Sequence, residues 1–80
     1  MALKLVFLGR LEDAAGAPER EVATVPSLDA LLDLLEHDLA TQLRGERVRL
    51  AINGALCPPG ARPALNDGDE LAFLPPVSGG

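Results

Sequence analysis

The chain has no tryptophan or tyrosine and only two phenylalanines, Phe7 and Phe73, so it offers no aromatic platform on which nucleobases would stack. Basic residues are also in short supply. Seven against twelve acidic ones leave a formal charge of −5, the wrong sign for phosphate backbones or anionic lipid. Nucleic acid is therefore not an expected partner, and from net charge a basic protein surface is the sensible one. The single cysteine, Cys57, has no internal disulfide partner, and the single histidine, His37, has no second imidazole to share a metal. No bound metal or cofactor is expected. The apolar run from Leu5 to Leu8 is strand-sized, far from the roughly 20 residues that a membrane span needs. Lys4 and Arg10 break up any secretory-type leader, so the expectation is a cytoplasmic protein with no membrane association.

What is present suits one small domain. Hydrophobic residues at 48% and charged residues at 24% are a globular balance, and 80 residues leave no room for a second core. Leu3 to Leu8 reads as a first strand closed by Gly9, and Arg10 to Gly16 as one helical turn stopped by Gly16. Glu19 to Val25 reads as a second strand ended by Pro26. Ser27 is placed to cap a helix whose Leu28, Leu31, Leu32, Leu35 and Leu39 share one face, and which is expected to run unbroken to about Ala40 to Leu43. Arg47 to Asn53 alternates as a third strand, and Asn53-Gly54 favours a type I′ hairpin into a short return strand, Ala55 to Cys57. Pro58, Pro59 and Pro63 forbid regular ladder pairing before Leu65. Asn66 to Asp69 is a turn, and Glu70 to Leu74 a final strand with Leu71 and Phe73 on one face.

This order implies an α+β fold: a mixed sheet with one main helix packed on one face, best matched by the ubiquitin-like β-grasp arrangement. There the first and last strands, the most apolar, lie parallel at the sheet centre. Residues 1–74 form the domain and residues 75–80 an extended tail. Several polar or reactive residues have ordinary explanations. Cys57 reads as a small hydrophobe or incidental thiol and His37 as a solvated helix residue. Asp67, Asp69 and Glu70 read as turn formers without a cation-binding loop, and the leucine stripe as core.

The chemistry points to the end of the chain, Pro75-Pro76-Val77-Ser78-Gly79-Gly80. Two prolines hold a tail extended, and two glycines make the thinnest peptide, able to enter a tunnel. With 8 glycines in 80 residues, a terminal Gly-Gly arises by chance about once in a hundred, so its weight comes from the prolines before it. The Gly80 carboxylate is inert toward nucleophiles until activated, which calls for adenylation by an ATP-using partner.

Several segments resemble the small sulfur-carrier subunit of molybdopterin synthase. They are Phe7 to Gly16 with its Arg-Leu-x-x-Ala-Ala-Gly, Val48 to Gly54, Leu65 to Leu71, and above all Pro75 to Gly80. Glu12 and the Cys57 to Gly60 segment depart from the family's look. The resemblance implies that an activating enzyme adenylates Gly80, that a sulfur donor protein converts it to a thiocarboxylate, and that the large synthase subunit receives the tail and supplies the catalytic side chains. Sulfur would pass to cyclic pyranopterin monophosphate to build the dithiolene. In that scheme Gly80 carries sulfur, Pro75, Pro76, Val77, Ser78 and Gly79 thread into the partner, and Pro75 with Pro76 limits the entropy lost on docking. The partner interface is expected at or beside Phe7 and Phe73 on the sheet. Alternatives are a sulfur carrier for thiamin or amino-acid synthesis, a ubiquitin-like modifier, or a plain β-grasp binding module.

Overall fold

A computed structural model of the chain describes residues 1–45, 47–58 and 61–75. Five strands form one sheet: β1 Ala2–Phe7, β2 Glu19–Ala23, β3 Arg49–Ile52, β4 Ala55–Leu56 and β5 Glu70–Leu74, in the order β2-β1-β5-β3-β4. β1 and β5 run parallel at the centre with Phe7 level with Phe73, and every other neighbouring pair is antiparallel. Three short helices, α1 Arg10–Ala15, α2 Leu28–Asp33 and α3 His37–Leu43, carry the rest of the chain's regular structure. This is the expected α+β, ubiquitin-like β-grasp architecture.

Period-two alternation decides what the central strands bury. Leu3, Leu5 and Phe7 of β1 and Leu71 and Phe73 of β5 join Leu11, Ala15, Leu31, Leu32, Leu35, Leu39, Ala40 and Leu43 in one core. The two phenyl rings stack with centroids 5.8 Å apart and planes 13° from parallel. Such a pair adds about 0.5–1.5 kcal/mol beyond burial of its area. That is a useful increment for a domain whose whole stability is on the order of 4–12 kcal/mol.

Turn chemistry follows the sequence closely. Gly16 ends α1 at φ 80°, donating to the carbonyls of Glu12 and Asp13. The Ser27 hydroxyl accepts from Ala30 N–H at 3.1 Å at the start of α2. Asn53 and Gly54 both have positive φ, 51° and 84°, as a type I′ turn requires. Among its described residues the proline-rich stretch pairs with the rest of the chain through an isolated bridge, Ala64 to Ser27, while Leu65 inserts into the core with its N–H bonded to Pro26 O.

The long helix is corrected: it is two helices, broken at Leu34 to Glu36. At roughly 100° per residue, one straight helix would align Leu28, Leu31, Leu32, Leu35 and Leu39 but swing Ala40 about 120° away from Leu28. Instead the N–H groups of Leu34 and Leu35 bond three residues back to Leu31 and Leu32, and Glu36 takes an extended ψ of 144° before α3 begins. Re-aimed this way, α3 buries Leu39, Ala40 and Leu43 together. Arg20 of β2 braces the break, donating to both Glu36 carboxylate oxygens at 3.1 and 2.8 Å and to Ala15 O at 2.8 Å.

The Arg20 hydrogen bonds, helped by a backbone bond and then by the guanidinium charge, hold the Glu36 carboxyl below its usual range. A folded pKa that is depressed gives stability present above the unfolded value and lost as pH falls through the folded one. Glu36→Gln is therefore expected to lower the melting temperature near neutral pH, with the gap from wild type closing toward about pH 3. A gap that persists undiminished in acid would refute the assignment.

Candidate functional site

The parallel β1–β5 pairing brings the C-terminal ends of both strands to one edge of the sheet. Leu8 N–H extends the ladder by donating to Phe73 O at 3.1 Å, and the chain then passes from Leu74 to Pro75. Gly9 turns the other strand away with φ 55° and ψ −135°, a conformation that suits glycine. A Cβ at Gly9 would stand 2.9 Å from Pro75 Cγ, so the turn into α1 and the start of the tail share the same space. Pro75 is thus seated against the body. Pro76, Val77, Ser78, Gly79 and Gly80 lie outside the described residues.

The expectation that Phe7 and Phe73 themselves meet a partner is corrected. They are 1% and 2% exposed and fill the core. Their neighbours in sequence take the outer face instead, as alternation demands. Leu8 at 41% and Leu56 at 55% exposure flank half-buried Val6, Ala51, Ala72 and Leu74, and the pairing register sets these side by side. An apolar face of sheet therefore borders the tail exit. Its signal in the sequence was the lack of alternation in Leu5 to Leu8 and Leu71 to Leu74, which marks strands apolar on both faces.

Charge is distributed unevenly around this edge of the sheet. Arg49 lies across from Leu74 and donates to Cys57 O at 3.2 Å, while its buried Nε has no partner among the described residues. Exposed Arg10 and Arg47 share a shallow groove with Leu11, Thr41, Gln42 and Val48. The tail exit is thus bordered by basic residues although the chain is acidic overall, so net charge misstates what a partner meets there. At the opposite end, Lys4 is paired with Glu19 and Glu70.

The remaining singled-out residues lie apart from the exit or serve the fold. Cys57 is a free, half-buried thiol in the wall of a groove of about 600 Å³ beneath Leu28, Leu32 and Leu50. His37 is exposed at the first position of α3. Asp69 spends both carboxylate oxygens on the turn, accepting from Asn66 N–H and from the Asn53 side chain, each at 2.9 Å. Those bonds, the Asn66 one foremost, keep its carboxyl below the usual range. Among the described residues no group of His, Cys, Asp or Glu is arranged to hold a metal, and no helix is long and apolar enough to cross a membrane.

A family model, described as the ThiS family, matches residues 5–80, nearly the whole chain. The chain belongs to the ThiS family. Solved structures with the same fold include the small archaeal modifier protein 1 (SAMP1) from Methanosarcina acetivorans, 30% identical with a TM-score of 0.71, covering 99% of this chain and 96% of that one. SAMP1 from Haloferax volcanii is 27% identical with a TM-score of 0.72, each chain covered in full. A complex of subunits 1 and 2 of the molybdopterin-converting factor from Helicobacter pylori contains a fold-mate that is 24% identical, TM-score 0.64, again covered in full on both sides. This ThiS-family chain therefore has the fold shared by sulfur carriers and ubiquitin-like modifiers.

Gly9→Ala adds a methyl group at a positive φ and against the Pro75 ring, and is expected to destabilise the domain by about 1–3 kcal/mol. Urea denaturation measures the loss, and amide chemical shifts at Leu74 and Phe73 should report a displaced exit. Unchanged stability and shifts would show that the contact does not constrain the tail.

Proposed function

We propose that this chain is the sulfur-carrier subunit of molybdopterin synthase, with the carboxylate of Gly80 as its reactive group. The observation carrying this reading is the Pro75-Pro76-Val77-Ser78-Gly79-Gly80 ending, which follows the central strand of a ThiS-family body without interruption. In the first step a Gly80 carboxylate oxygen attacks the α-phosphorus of ATP on an activating enzyme, releasing pyrophosphate and leaving an acyl adenylate. A sulfur donor protein then supplies sulfur at the acyl carbon, AMP departs, and a thiocarboxylate remains. Within the large synthase subunit that sulfur passes to cyclic pyranopterin monophosphate, shielded from water.

This chain's contribution is positioning. Pro75, seated against Gly9, starts the tail in one direction, and the apolar face around Leu8 and Leu56 gives the partner a landing area beside it. The two-subunit complex of the similar Helicobacter pylori protein supports a large subunit as the partner. A second reading, a small protein modifier joined to lysines, is favoured by the 27–30% identity to the two archaeal SAMP1 proteins. Both begin with the same activation of Gly80 and diverge in the acceptor.

Incubation with the cognate activating enzyme, ATP and a sulfur source is expected to raise the intact mass by about 16 Da as one oxygen is exchanged for sulfur. Removal of Gly80 should abolish the gain. Adding the large subunit and cyclic pyranopterin monophosphate should then yield dithiolene and return the mass to its starting value. An unchanged mass with a proven-active enzyme would refute the carrier reading, and lysine-linked conjugates without dithiolene would establish the modifier reading instead. The double variant Leu8→Asp with Leu56→Asp should keep its melting temperature within a few degrees, since both side chains are exposed, yet lose affinity for the large subunit by about tenfold or more. Wild-type affinity in a calorimetric titration would place the landing area elsewhere.

A further inference from the structure

Of the seven basic residues in the sequence, Lys4 is the only lysine, and the others are arginines. A guanidinium stays protonated and is a poor acceptor of acyl groups, so the chain presents one ε-amine in all. That amine is on the sheet's outer face, on the same strand pair that leads to the tail. Its Nζ lies 3.2 Å from Glu19 of β2 and 3.7 Å from Glu70 of β5, with Glu21 directly across the ladder. Lys4 is thus flanked by carboxylates from both neighbouring strands, while its side chain remains 47% exposed. The Glu19 hydrogen bond and charge, with a smaller contribution from Glu70, raise its pKa above the ordinary lysine value.

An activated C-terminus makes an amine of this kind a hazard. From the level of Lys4 to that of Leu74 is about 13 Å along the strand, and six tail residues span up to about 20 Å. Contour length alone therefore allows Gly80 to reach Lys4 of its own chain, and a second copy is always available in solution. In that side reaction the Lys4 lone pair attacks the Gly80 carbonyl carbon and an N–C bond forms. The C–O bond to the phosphate breaks, AMP leaves with that electron pair, and the amine proton goes to solvent. A protonated Lys4 has no lone pair to begin it.

We infer that the carboxylates around Lys4 slow the chain's one ε-amine as a nucleophile, so that it competes less for the activated terminus. The inference rests on the reading that Gly80 becomes an activated acyl group, and it extends to the modifier reading, where it opposes self-linked chains.

Two measurements test it without any activating enzyme, so failure here and failure of the mass-shift assay are distinguishable. In the first, the N-hydroxysuccinimide ester of acetic acid is added near pH 8 and Lys4 acetylation is followed by peptide mapping. Wild-type Lys4 is expected to react roughly two- to fivefold more slowly than Nα-acetyl-lysine amide, and the Glu19→Gln/Glu70→Gln variant to recover that factor. In the second, the full chain bearing a chemically installed C-terminal thioester is incubated alone. The same double variant should form the Lys4–Gly80 isopeptide faster than wild type by a similar factor, and Lys4→Arg should form none. Equal Lys4 acetylation in wild type, variant and free amide, or equal isopeptide formation in wild type and variant, would overturn the inference.

Discussion

The structure depends on one pairing, the parallel contact between β1 and β5 with Phe7 level with Phe73. A parallel pair requires a crossover rather than a hairpin, and here nearly the whole chain serves as the connection between the two strands. Everything between them is arranged around that constraint. The helices cover the face where the rings stack, β2 and β3 flank the pair, and both central strands finish at the same edge. Because β5 is held on both sides, the residue that follows it leaves from an interior strand. A tail attached there inherits a fixed origin, and Pro75 against Gly9 gives it an initial direction.

Much of this was legible in the sequence because the relevant physics is local. Gly16, Ser27, Asn53 and Gly54 each act through their own backbone or one nearby N–H, so residue type alone was decisive. The central parallel pair was legible too, since the two most apolar strands belong at the centre. The broken helix was not. Leu28 to Leu39 fits one straight helix well, and the cause of the break is tertiary: Ala40 must reach the core, and Arg20, distant in sequence, stands ready to hold Glu36. No local pattern encodes that demand.

The candidate site divides in the same way. The tail is an expectation from residue order that falls beyond the described residues after Pro75, and the outer face beside Pro75 was hard to read because aromatic residues draw attention and here both are buried. Their flanking residues Val6, Leu8, Ala72 and Leu74 form the outer face only once register places them beside Ala51 and Leu56. Net charge was a poor guide for a similar reason. It sums over the molecule, whereas a docking partner within a Debye length of about 8–10 Å of the exit meets Arg10, Arg47 and Arg49 together with the nearby Glu12 and Asp13 of α1.

That separation of charge has a chemical logic under the proposed reading. A body that carries an activated acyl group needs a surface that partners recognise but that is itself unreactive. Arginine provides positive charge without a nucleophile, whereas lysine provides both. Beside Leu74 and Pro75 the basic residues Arg10, Arg47 and Arg49 are arginines. The one lysine stands four positions down β1 from the exit, among Glu19, Glu21 and Glu70. A lysine in place of Arg10 or Arg47 would, under that reading, add a second ε-amine able to compete for the activated terminus. On this argument, the choice of arginine over lysine along the exit is as much a part of the carrier's design as the two glycines at its end.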